Sequence, residues 1–197
     1  RYYFKKILLL NILNLHVSYT GTYNLKLEEF YRSSGLLQRS FRKLKSRRWD
    51  IKCRGIRELS EMNVQEAYKD ILPFSRHNNS TLKLEALSGI IRLKGMQGLT
   101  ILKDYKEPVN DWVQANILYE IDNANLTVEK DFSDLLNSEN ETVVILGLRL
   151  IAKFDQIESL DKVREIQNSD ASEHIKIHAQ KTLAKFPDTE FYDVAIS

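Results

Sequence analysis

Stepping four, eight and eleven residues from Ile51 passes through Gly55, Leu59 and Met62, all apolar or small, and the same walk succeeds from four further starting points. It gives Leu82, Ala86, Ile90 and Leu93; Val113, Ile117, Ile121 and Ala124; Val143, Gly147, Ile151 and Phe154; and Ile175, Ala179, Leu183 and Phe186. Such offsets lie on one stripe of an α-helix, so each segment is predicted to be helical with one face buried. The starts are 31, 31, 30 and 32 residues apart. Regular self-similarity of this length is the signature of a repeat array. Small residues at the second position in four of the five segments would let a neighbouring helix approach closely.

A second helix is expected in each unit, twenty and twenty-three residues after its start. Ile71 and Phe74, Leu102 and Tyr105, Ser133 and Leu136, and Val163 and Ile166 occupy those places, with Ser133 the one polar slot. Turn signals separate the paired helices at Met62-Asn63, Lys94 to Gly98, Asp122 to Asn125 and Asp155-Gln156. Others separate the units: His77 to Ser80, Glu107-Pro108, Asn137 to Asn140 and Asn168 to Asp170. Ser80, Asn110, Asn140 and Ser172 are the expected N-caps of the helices that follow, and Pro187 lies just past the last stripe. Residues 1–48 do not follow the template. They read as three other helices, Tyr3 to Ser18, Tyr23 to Ser33 and Leu36 to Lys45, broken at Gly21 and Gly35, and suit the terminal cap that a stacked array needs. A linker helix leading from a membrane segment is the other reading of that stretch.

Composition agrees with helices. Seven Gly and three Pro among 197 residues leave few turns for a β-sandwich, and 43% hydrophobic residues suffice for a core. The single cysteine, Cys53, excludes an internal disulfide framework or a cysteine-built zinc site and fits a reducing compartment. The most apolar run, Ile7 to Leu15, holds nine residues with two Asn among them, far below the ~20 of a spanning helix. No small-residue cleavage site follows it, so it does not read as a signal peptide. The cytoplasm is the expected location. The aromatic and basic start (Tyr2, Tyr3, Phe4, Lys5, Lys6) also accommodates tethering to the inner face of a membrane by a segment upstream of Arg1.

A net charge of +2 conceals a division of the chain. Residues 1–57 carry fourteen basic and three acidic side chains, a net of +11; the remainder carries fifteen and twenty-four, a net of −9. The basic density peaks from Arg39 to Arg57. There Arg39, Arg42, Lys43, Lys45, Arg47, Arg48, Lys52, Arg54 and Arg57 stand against Asp50 alone. Arg42, Lys43, Lys45, Arg47, Arg48, Lys52, Arg54 and Arg57 form the candidate anion or partner patch, with a solvated helix face as the plainer alternative.

The repeated pattern of an aliphatic residue, a polar or basic one, a small residue and then Leu or Ile resembles the HEAT repeat family, in its short bacterial units of about thirty residues. The residues that carry the likeness are Ile51-Lys52 with Gly55 and Leu59, Leu82-Lys83 with Ala86 and Ile90, and Ile175-Lys176 with Ala179 and Leu183. It departs at Val144, where the basic residue is usual, and at Ile117, where the small one is. The resemblance implies an all-α fold: an α-solenoid, a right-handed superhelix of about five HEAT-like helix pairs, spanning 49–187. An N-terminal helical cap or linker (1–48) and a C-terminal tail (188–197) complete it.

Few residues carry chemistry. His174 and His178, spaced i, i+4, have the separation of a metal pair but lack the HExxH glutamate and flank an apolar stripe. Cys53 reads as a small packing residue rather than a nucleophile. Trp49, Asp50, Asp111, Trp112 and Arg149 match in type the lining of HEAT-like DNA glycosylases, yet the net charge after Arg57 opposes DNA phosphates. Bilin lyases share short HEAT-like repeats, but nothing in the chain points to a pigment. The sequons at Asn125-Leu126-Thr127 and Asn140-Glu141-Thr142 are ordinary for an Asn-rich chain. No motif calls for catalysis, a cofactor or a metal. The expected role is a non-catalytic protein-protein interaction scaffold; the alternative is electrostatic docking on an anionic membrane or nucleic acid through Arg39 to Arg57. Another protein is the expected partner, and nucleic acid the least expected.

Overall fold

The computed structural model describes residues 2–18, 21–123 and 131–187, which are helical without any strand among them. Ala124, the end of the Asp122 to Asn125 turn, the Asn125-Leu126-Thr127 sequon and the tail 188–197 lie outside the described residues. Two compact units emerge, one of Arg1–Gly98 with Tyr119–Ala124, the other of Leu99–Leu118 with Asn125–Ser197.

The first unit opens with three helices, α1 (Tyr2–Ser18), α2 (Thr22–Ser33) and α3 (Leu36–Leu44). They break at Gly21 and Gly35, whose φ values of 71° and 78° suit glycine best. Helix α4 (Trp49–Glu61) packs on α3 and on α6 (Ser80–Lys94); the short α5 (Tyr68–Ile71) lies between two 3₁₀ turns, Gln65–Ala67 and Leu72–Arg76. The 3₁₀ turn Gly95–Leu102 follows α6. Helix α7 (Asp111–Asn123) gives its last turn to this unit and its start to the second. The second unit continues through the 3₁₀ turn Phe132–Asn137, α8 (Glu141–Lys153), the 3₁₀ turn Ile157–Ser159, α9 (Leu160–Gln167) and α10 (Glu173–Leu183). Helix α10 packs on both α8 and α9.

The periodic stripes are where the core lies. Gly55, Leu59, Met62, Leu82, Ala86, Ile90, Leu93, Val113, Ile117, Ile121, Val143, Gly147, Ile151 and Ala179 are buried. Ile51, Phe154, Ile175, Leu183 and Phe186 are half-buried. Two small stripe residues mark close approaches. A Cβ on Gly55 would lie 2.9 Å from the Cβ of Lys43 and 3.0 Å from the Ser40 carbonyl; on Gly147 it would lie 3.0 Å from the Cβ of Leu135.

The expected second helices are shorter and tighter than the periodicity implied. Only α9 among them reaches eight residues as an α-helix, and the rest are largely 3₁₀. Segments this short gain few i→i+4 bonds, and Pro73 supplies no N–H to continue a ladder. Three expected caps hold: Asn110 Oδ1 accepts from Val113 N (3.0 Å), Asn140 Oδ1 from Thr142 N (3.1 Å) and Ser172 Oγ from Ile175 N (3.3 Å). The fourth is corrected. Asn79 caps α6 by accepting from Leu82 N at 2.9 Å, and Ser80 is the first helical residue.

Turns at equivalent template positions have equivalent geometry. Asn63 and Asp155, each twelve residues after its stripe start, have φ of 49° and 51°, a left-handed conformation that Asn and Asp tolerate best after Gly. The next amides, Val64 N and Gln156 N, bond the carbonyls of Leu59 and Ile151 at 3.0 and 3.1 Å. This six-to-one bond closes a helix in the Schellman manner. In both places a 3₁₀ turn and an α-helix follow.

Candidate functional site

Side chains one repeat length apart meet throughout, but the chemistry of these meetings differs between the units. In the first, ion pairs dominate. Arg57 binds Glu85 in a bidentate pair. Arg92 binds Glu120 through Nε (2.9 Å) and Nη2 and lies 3.8 Å from Glu85. Burial holds the Glu61 carboxyl above the usual range, against the pull of Arg92 and Arg57. In the second unit the links are mostly neutral. Buried Gln114 donates to the carbonyls of Val109 (2.8 Å) and Thr142 (3.0 Å) and accepts from Arg149 at 2.9 Å. Asn140 Nδ2 donates to the carbonyls of Tyr105 and Glu107, both at 2.8 Å. Thr182 donates to the Leu148 carbonyl at 3.2 Å.

A groove of about 940 Å³ in the first unit is bounded by α1, α3 and α4. Its apolar lining is Ile7, Leu9, Leu10 and Leu13 of α1 with Ile51 of α4; Tyr3 stands at one end. Cations surround it: Lys5 and Lys6 from α1, Arg39, Arg42 and Lys43 from α3, and Arg54 and Arg57 from α4. The tight seam at Gly55 brings α3 and α4 together, so their basic residues share one wall.

Glu58 is the acid of that lining and is fully engaged. Its buried carboxylate accepts from Ser40 Oγ at 2.6 Å and from the Lys43 ammonium, which compensates a charge that would be costly alone. Asp50 lies outside the groove and is held by Arg48 (2.9 Å) and Arg54 (3.4 Å). These arginines keep its carboxyl below the ordinary range. Lys5, Lys6 and Arg42 pair with no carboxylate among the described residues; Arg42 Nε donates to the Gln38 carbonyl.

The candidate patch is thus divided by the fold. Arg42, Lys43, Arg54 and Arg57 line the groove, with Arg39 beside them. Lys45, Arg47 and Arg48 are exposed outside its lining, and Lys52 stacks over the Phe74 ring at 4.5 Å. The part played by α1 was not anticipated from spacing. Its only signal was the apolar run Ile7 to Leu15 with Lys5 and Lys6 just before it.

The remaining candidates sit in ordinary surroundings. The rings of His174 and His178 meet edge to face at 5.2 Å, and His174 Nδ1 lies 3.1 Å from Glu141. Burial, then Arg149, holds the His178 imidazole below its ordinary pKa. Among the described residues no three His, Cys, Asp or Glu side chains converge as a metal site. Cys53 is buried, and burial pushes its thiol up, away from the reactive thiolate. Asp111 pairs with Arg149 at 2.9 Å, while Trp49 and Trp112 are exposed. No helix among the described residues is long and apolar enough to cross a membrane. Compared with family models, characterised proteins and solved structures, the chain shows no match.

Proposed function

We propose that this protein is a non-catalytic protein-protein interaction scaffold, built as a right-handed α-solenoid of HEAT-like helix pairs with α1 to α3 as its N-terminal cap. Bonds at one repeat length and matching left-handed turns support the architecture. The observation that carries the function is large apolar surface left open on helices whose other faces are packed. On α7, Val113, Ile117 and Ile121 are buried, whereas Trp112 and Tyr119, one stripe apart at i, i+7, are 57% and 64% exposed. Aromatic residues are enriched at protein contacts, which supports the reading. Affinity capture from native extract at low salt, with an alanine variant of both Trp112 and Tyr119 alongside, tests the reading. Recovery of a partner that the variant loses supports it; recovery of no protein counts against it.

A second reading, electrostatic docking on an anionic membrane or nucleic acid, draws on the exposed cations Arg42, Lys45 and Arg47 at the end of α3. It predicts binding that weakens steeply as salt rises from about 50 to about 300 mM. Four cations of the same stretch, Lys43, Arg48, Arg54 and Arg57, already face carboxylates within the fold, which leaves a smaller field than the sequence implied.

A further inference from the structure

We propose that the groove bounded by α1, α3 and α4 docks an acidic amphipathic helix of a partner protein. The inference rests on the protein-binding reading and names the partner's chemistry. Helix α1 carries a line of large apolar side chains that its packing leaves open. Leu9 and Ile12 are buried, while Tyr3, Ile7 and Leu10, in line at i, i+4 and i+7, are 74%, 51% and 59% exposed. Ile7 and Leu10 lie in the groove with Tyr3 at its end, so the uncovered line and the recess are one feature.

Shape and charge select the occupant. A recess of about 940 Å³ far exceeds a phosphate group. Amphipathic helices lay an apolar seam into such grooves. The rim then asks for negative charge on the seam's flanks. Lys5 and Lys6 stand on the α1 wall and Arg42 on the α3 wall, with no carboxylate among the described residues to match them, whereas Lys43 already has Glu58 and Arg57 has Glu85. Glutamates or aspartates beside the seam would meet cations on both walls.

The test titrates the full chain with three probes: a labelled helical peptide with leucines at i, i+4, i+7 and i+11 and glutamates beside them, its lysine-for-glutamate counterpart, and vesicles containing phosphatidylserine. The acidic peptide is expected to bind and the basic one to fail. Arg42→Glu and Leu10→Asp, both at exposed positions, are each expected to weaken binding about tenfold or more, a loss near 1.4 kcal/mol. Their thermal melts should stay unchanged, and Lys181→Glu, in the second unit, should bind as the parent does. Equal binding of both peptides, or indifference to Arg42→Glu and Leu10→Asp, overturns the proposal. So do vesicles that outcompete the acidic peptide through Arg42, since they would make the groove a lipid site. A partner captured from extract regardless of Arg42→Glu would overturn this inference while leaving the scaffold reading standing.

Discussion

Segments about thirty residues apart are joined mainly by charge in the first unit, whereas in the second neutral bonds stand beside the Lys185–Asp155 pair. In the first, Arg57–Glu85 and Arg92–Glu120 link residues 28 apart by charge. In the second, Gln114, Asn140 and Thr182 reach carbonyls 28 to 35 residues away through uncharged amides and hydroxyls. The spacing of these segments is set by the apolar stripes, and the polar links between them vary in kind. They are not interchangeable in their response to solvent. Half-exposed ion pairs weaken with salt, while buried amide bonds do not.

The largest expected effect lies in the second unit. Gln114→Ala would take the amide donor from the carbonyls of Val109 and Thr142 and leave Arg149 with its Asp111 partner, at a cost of roughly 1–3 kcal/mol. Chemical denaturation should show that loss nearly unchanged between low and high salt. Arg92→Leu, which removes the Glu120 pair, should cost about 1 kcal/mol at low salt and less as salt rises. Equal salt dependence of the two losses would erase the distinction between the units.

Acid should act with opposite sign on Asp131 and Glu61. The Asp131 carboxyl is pushed upward by burial but held low overall by hydrogen bonds from Ser133 and Ser159. Its contribution is complete above the ordinary aspartate pKa and is lost as pH falls through the lowered folded value. Glu61 is shifted the other way, so its ionised form costs stability at neutral pH and protonation relieves that cost. Glu61→Gln is expected to raise the melting temperature at pH near 7, by an amount that shrinks as pH drops into the carboxylate range. Asp131→Asn should lower it near pH 7 and matter less in acid. The smallest effect is reserved for Tyr31, whose buried hydroxyl has no hydrogen-bond partner among the described residues. Tyr31→Phe should change stability by less than about 1 kcal/mol, in the stabilising direction; a loss larger than that would reveal a bond to the hydroxyl.

Much of the local structure was legible because it depends on short-range rules. Gly21 and Gly35 placed the breaks between α1, α2 and α3, and the stripes named the buried positions. Asn110, Asn140 and Ser172 announced helix starts; with Asn79 and Ser80 adjacent and both able to cap, only the backbone could choose between them. The 3₁₀ character of the second helices was hidden because Ile71, Phe74, Leu102 and Tyr105 are spaced alike in either helix type. The groove was least legible. It requires residues 3–13 to lie across residues 39–58, and no periodicity within either stretch encodes that meeting. The pairing of Lys43 and Arg57 was hidden for the same reason, since Glu58 and Glu85 enter the patch only through helix packing; Arg48 and Arg54 pair with Asp50, their neighbour in the chain.

Gly55 gives the groove a mechanical consequence. Hydrogen in place of a side chain allows α3 to lie almost against α4, so even a methyl group there would act as a wedge. It would drive Lys43 and Ser40 away from Glu58. The alignment of the whole basic wall hangs on a position that carries no side chain.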